Sequence, residues 1–89
     1  MIKRHEDQLW ARLDELYTRG TTFIANGELY HWYNVERVSK TPWRDIRARW
    51  TQLLEERGRG YEDPKVAELD GGVSLFFARK PSSLSEKAA

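Results

Sequence analysis

With 89 residues, 39% of them hydrophobic and 33% charged, the chain has the material for one small domain with one core. The absence of cysteine excludes a disulfide framework and a thiolate metal site, and it points to a reducing, cytoplasmic setting. The formal net charge is only +1, so total charge does not announce a polyanion partner and the distribution of charge has to carry any such signal. Met1-Ile2-Lys3-Arg4-His5-Glu6-Asp7 lacks the apolar run of a signal peptide, and no stretch approaches the roughly 20 apolar residues of a membrane span. A soluble protein without a membrane partner is expected.

Leu9, Trp10, Leu13, Leu16 and Tyr17 recur at three- and four-residue intervals, which predicts a first helix with one buried stripe that stops near Gly20. Thr21-Thr22-Phe23-Ile24-Ala25 is β-branched and aromatic and predicts a short strand. Two readings then stay open for residues 26–38. Asn26-Gly27 is able to close a hairpin whose return strand covers residues 28–33. Alternatively, Asn26 caps a helix running to about Glu36, with Leu29, Trp32 and Tyr33 facing inward.

Residues 39–58 predict the best-defined helix of the chain. Thr41 caps it, Pro42 takes the first helical position, where the missing N–H is harmless, and Gly58 ends it. Trp43, Ile46, Trp50, Leu53 and Leu54 form its apolar stripe. Between Arg37 and Arg49 stand five cations (Arg37, Lys40, Arg44, Arg47 and Arg49) against one anion, Asp45. Lys40, Arg44, Arg47 and Thr51 are spaced by four, three and four residues, so they line the face opposite the apolar stripe. Such a helix fits the major groove, where Arg pairs bidentately with guanine and Lys, Ser and Thr near the helix start hold phosphates. Further on, Asp70-Gly71-Gly72 lies between Val66-Ala67-Glu68-Leu69 and Val73-Ser74-Leu75-Phe76-Phe77-Ala78, a hairpin signal. Residues 81–89 are small and polar and predict a disordered tail behind a single domain of residues 1–80.

Val38-Ser39-Lys40-Thr41-Pro42-Trp43-Arg44-Asp45-Ile46 resembles the turn and recognition-helix signature of GntR-type winged-helix repressors. The resemblance implies an α+β winged helix with the order helix, short strand, helix, recognition helix and C-terminal β-hairpin wing. It implies a double-stranded DNA partner, with Ser39, Lys40, Thr41 and Arg44 at DNA and Arg79 and Lys80 beside the wing. Glu36 and Arg37 depart from the small apolar pair usual before Val-Ser in that family, and no effector domain follows. A free-standing module of the phage or plasmid regulator type is therefore expected. In it, the helix of residues 42–57 enters the major groove, Arg44 and Arg47 read base edges, and Arg37, Ser39, Lys40, Thr41 and Arg79 hold phosphates. The N-terminal helix is the expected dimer surface.

No nucleophile elbow, phosphate-cradling glycine loop or metalloprotease helix occurs, so binding rather than catalysis is expected, without a cofactor. His5 and His31, the only histidines, fall on different elements with no Cys to complete a ligand set, so no metal is expected. The rival to the winged helix is an α-β-β-α-β-β two-layer domain that binds a host protein. A third reading places Tyr30 and Trp32 on an exposed strand, stacked on unpaired bases.

Overall fold

A computed structural model describes residues 1–37, 40–77 and 84–88. Leu9, Leu13 and Leu16 turn inward from α1 (Lys3–Arg19) and are fully buried, while Trp10 and Tyr17 only flank the core. Gly20 ends α1 in the left-handed region, at φ 85°, where a side chain would be strained. Its N–H donates to the Leu16 carbonyl at 2.9 Å and its own carbonyl accepts from the Phe77 N–H at 2.8 Å. One residue thus closes the helix and ties its end to the sheet.

The chain then enters β1 (Thr21–Ala25) and turns directly into α2 (Asn26–Tyr33). Residues 26–33 are helical, so the two-hairpin arrangement is not adopted. The reason lies in what surrounds Asn26-Gly27. The Glu28 carboxylate reaches back to the Ala25 N–H at 3.0 Å, as in a capping box, and Arg12 of α1 grips the same carboxylate. Asn26 is the first helical residue rather than the cap, because its N–H and its Nδ2 donate to the Gly71 and Asp70 carbonyls at 3.0 and 3.1 Å. The helix ends at Tyr33, with Asn34 at φ 51° as its cap, three residues short of the expected Glu36. Leu29 and Trp32 are buried, and the Trp32 Nε1 donates to Gln8 at 2.8 Å. That burial removes the stacking platform that an exposed Trp32 was expected to offer to unpaired bases.

The long helix is α3 (Lys40–Glu56). Thr41 lies inside its first turn, not at the cap, and Pro42 is its third residue, still among the four whose N–H has no intrahelical acceptor. Val38 and Ser39 lie outside the described residues. Ile46, Trp50, Leu53 and Leu54 are buried, whereas Trp43 is half-buried. The helix ends as expected at Gly58, φ 70°, with the Arg59 N–H on the Leu54 carbonyl at 2.9 Å. A polar loop leads to β2 (Lys65–Leu69), the turn at Asp70-Gly71, and β3 (Gly72–Phe76).

The three strands form one antiparallel sheet in the order β1-β3-β2. Register pairs Ile24 with Val73 and Thr22 with Leu75, placing all four on the face turned to the helices. Gly72, opposite Ala25, is required by close approach, since a Cβ there would meet the Ile24 carbonyl and come within 2.8 Å of the Ala25 Cα. Helices on one face of an open three-stranded sheet make this a small α+β fold. The outer sheet face carries Phe23, Phe76 and Leu69, which are 45%, 40% and 55% exposed, an apolar surface open to solvent. Residues 84–88, expected to be part of a disordered tail, form the exposed short helix α4 (Leu84–Ala88). Among the described residues no helix is long and apolar enough to cross a membrane.

Candidate nucleic-acid interface

Burial of Ile46, Trp50 and Leu53 fixes the rotation of α3 and so decides which side chains reach water. Lys40, Arg44 and Arg47 are exposed, and none of the three has an ion-pair partner among the described residues. Thr51 is half-buried, its hydroxyl donating to the Arg47 carbonyl at 2.8 Å. Arg44, Arg47 and Thr51 border one shallow groove together with Ala48 and Tyr61. Three of the four residues spaced along this face thus share one depression, with Lys40 a turn earlier on the same helix.

Tyr61 is the member that sequence reasoning missed. The Arg47 guanidinium lies 5.4 Å from the centroid of its ring, and the phenol donates to Asp63 at 2.6 Å. Burial raises the Tyr61 pKa, the Asp63 bond adds to this, and the Arg47 contact opposes it. Tyr61 comes from the loop after Gly60, which has no periodicity, and no sequence signal placed it against α3. It restrains Arg47 without neutralising it.

The other expected site residues are dispersed. Arg49, counted with the basic run, is not on the basic face: its Nε donates to Asp45 at 2.9 Å, Nη1 lies 3.8 Å from Glu6, and the guanidinium covers Trp10. Thr41 turns to the same side as Asp45 and Arg49, into a crevice shared with His5 and His31, so it does not join Arg44 and Arg47. Tyr33 closes that side by donating to Asp45 at 2.7 Å; burial first, then this bond, raises its pKa. Arg37 is exposed and lines a separate crevice with Trp43 and the hairpin residues Glu68 and Leu69. Ser39, Arg79 and Lys80 lie outside the described residues. The hairpin tip presents Glu68 and Asp70, both exposed, and Lys65 stands at its base.

The two histidines fall on different elements, α1 and α2, as expected, and are in contact with ring centroids separated by 4.6 Å. They meet because the first turn of α1 packs beside the last turn of α2. His5 is buried, and desolvation holds its pKa below the usual value, helped by the charges of His31 and Arg4. Among the described residues, no group of three or more His, Cys, Asp and Glu is placed to hold a metal ion. No family model, curated protein or solved structure matches the chain.

Proposed function

We propose that this chain is a winged-helix module that binds double-stranded DNA and acts as a small transcription regulator. One observation carries the reading. An order of helix, strand, helix, helix and hairpin, with strands arranged β1-β3-β2, leaves the outer face of α3 lined by exposed Lys40, Arg44 and Arg47, which have no ion pair among the described residues. In this reading α3 enters the major groove and α2 crosses the backbone beside it. Arg44 and Arg47 meet guanine O6 and N7, while Lys40, with Ser39 and Arg37 before it, holds phosphates. Glu68 and Asp70 repel phosphate at the hairpin tip, so the backbone contact there falls to Lys65 at its base, with Arg79 and Lys80 following in sequence.

Salt titration of duplex binding tests this. The phosphate contacts of Arg37, Lys40 and Lys65 give a slope of log K against log salt of about −2.7, whereas Arg44→Ala plus Arg47→Ala removes base contacts worth about 1–3 kcal/mol each and weakens binding at fixed salt. Affinity unchanged by the two substitutions, or no binding at low salt, overturns the reading.

The exposed outer sheet face favours a second reading, in which the partner is a protein or a second copy of this chain. The apolar stripe of α1 is buried in the core and its outer side is polar, so α1 is a poorer dimer surface than the sheet. Under this reading Phe23→Ser plus Phe76→Ser abolishes association, and the arginine substitutions leave it intact.

A further inference from the structure

The β2 strand stands away from α3, and a cavity of about 200 Å³ opens between them. Its floor is apolar, formed by Leu16, Ile46, Trp50 and Leu75, and Val66 forms part of its wall. The loop that carries Tyr61 and Asp63 roofs it and is anchored by the Trp50 Nε1 donating to the Glu62 carbonyl at 3.0 Å. A cavity of about 150 Å³ lined by aliphatic and aromatic side chains accommodates benzene, so this one has room for a single ring with a small substituent.

The mouth decides the substituent. Three polar side chains meet there: Arg47, Tyr61 and Asp63. The Tyr61 hydroxyl is already donated to Asp63 at 2.6 Å, and Arg47 has no ion-pair partner among the described residues. The mouth therefore offers a guanidinium that rests on the Tyr61 ring with no ion pair among the described residues, while the Asp63 carboxylate keeps its charge and is turned to the Tyr61 hydroxyl. A neutral ring would fill the floor but leave that guanidinium unanswered. An amine would meet its charge head on.

We propose that this cavity binds a monocyclic aromatic carboxylate, with the ring on Ile46, Trp50 and Leu75 and the carboxylate on Arg47. The site stands without the DNA reading. Under that reading, ligand and duplex draw on the same guanidinium, and the ligand weakens duplex binding.

The test uses the full chain without DNA. The indole N–H resonances of Trp43 and Trp50 are followed by NMR during titration with benzoate, with benzamide as the uncharged analogue and acetate as the ringless one. Benzoate is expected to give saturable shifts, with affinity at least tenfold above benzamide, and acetate none. Arg47→Gln removes the preference for benzoate over benzamide. Val66→Phe, which fills the cavity from the exposed strand, removes the shifts while the melting temperature is kept. Absence of saturable shifts at about 10 mM benzoate, about ten times a Kd of ~1 mM, overturns the proposal. So do equal affinities for benzoate and benzamide, or shifts that survive Val66→Phe. Failure of duplex binding leaves this titration unaffected, so the two readings fail separately.

Discussion

Arg12 joins three elements through one guanidinium, and its replacement by methionine gives the sharpest test of how the helices are held to the sheet. Its Nη1 donates to the Phe23 carbonyl at 2.6 Å and to Glu28 Oε1 at 3.0 Å, and Nη2 donates to Glu28 Oε2 at 2.7 Å. The same group lies 5.9 Å from the Trp32 ring centroid. Burial alone would raise the Glu28 pKa; the Arg12 hydrogen bond, the Ala25 N–H and the Arg12 charge together hold it below the ordinary carboxylate value. Both side chains are 31% exposed, so the bonds are counted at the low end of the charged range. Two such interactions, one to the carbonyl and one bidentate to Glu28, are then worth about 3 kcal/mol. For a domain of this size that lowers the melting temperature by about 12–24 °C. Methionine keeps the apolar stem over Trp32, which separates loss of the charge from loss of packing. Thermal unfolding of Arg12→Met, Glu28→Gln and the double variant is the assay. The double variant should be little worse than Arg12→Met alone, because both singles break one network. A fall of less than about 3 °C, or strictly additive losses, would refute the account of how α2 begins.

Two further predictions concern the sheet and the histidine pair. Gly72→Ala forces a Cβ against the backbone of Ile24 and Ala25, which cannot yield as the nearby Phe23 ring can, and should destabilise the fold by about 1–3 kcal/mol. Gly71→Ala, with nothing within 4 Å, should be close to neutral, and equal losses at the two positions would contradict the register. His5 has a depressed pKa in the folded chain, so the unfolded chain takes up a proton more readily. Its contribution is fully present above a pH of about 6.5 and is lost as pH falls through the folded value. Thermal melts from about pH 7 down to pH 5 should therefore show a decline that His5→Phe flattens; an unaltered decline in the variant would mean that burial of His5 carries none of the pH dependence.

The parts of the fold that were legible in the sequence are those set by local physics. Leucines spaced along α1 and the Gly58 stop of α3 are written in periodicity and in the need for positive φ. The identity of residues 26–33 was not legible, because Asn26-Gly27 satisfies a turn and a helix start equally well. It is decided by Glu28, Arg12, Asp70 and Gly71, which reach it from distant positions. The same limit governs the candidate site. Helical spacing placed Arg44, Arg47 and Thr51 on one side of α3, but not the withdrawal of Arg49 by Asp45 and Glu6, nor the turning of Thr41 toward the histidines. Tyr61 escaped notice because irregular loops carry no period, and the His5–His31 contact because helix packing, not spacing, creates it.

The central claim is that the outer face of α3 is the surface that meets duplex DNA. Backbone amide shifts of the isotope-labelled chain, followed as duplex is added at low salt, test it residue by residue. Changes should concentrate at Lys40, Arg44, Arg47, Thr51 and Tyr61 and leave Phe23, Leu69 and Phe76 unmoved. Changes confined to the outer sheet face, or spread evenly over the chain, would contradict it.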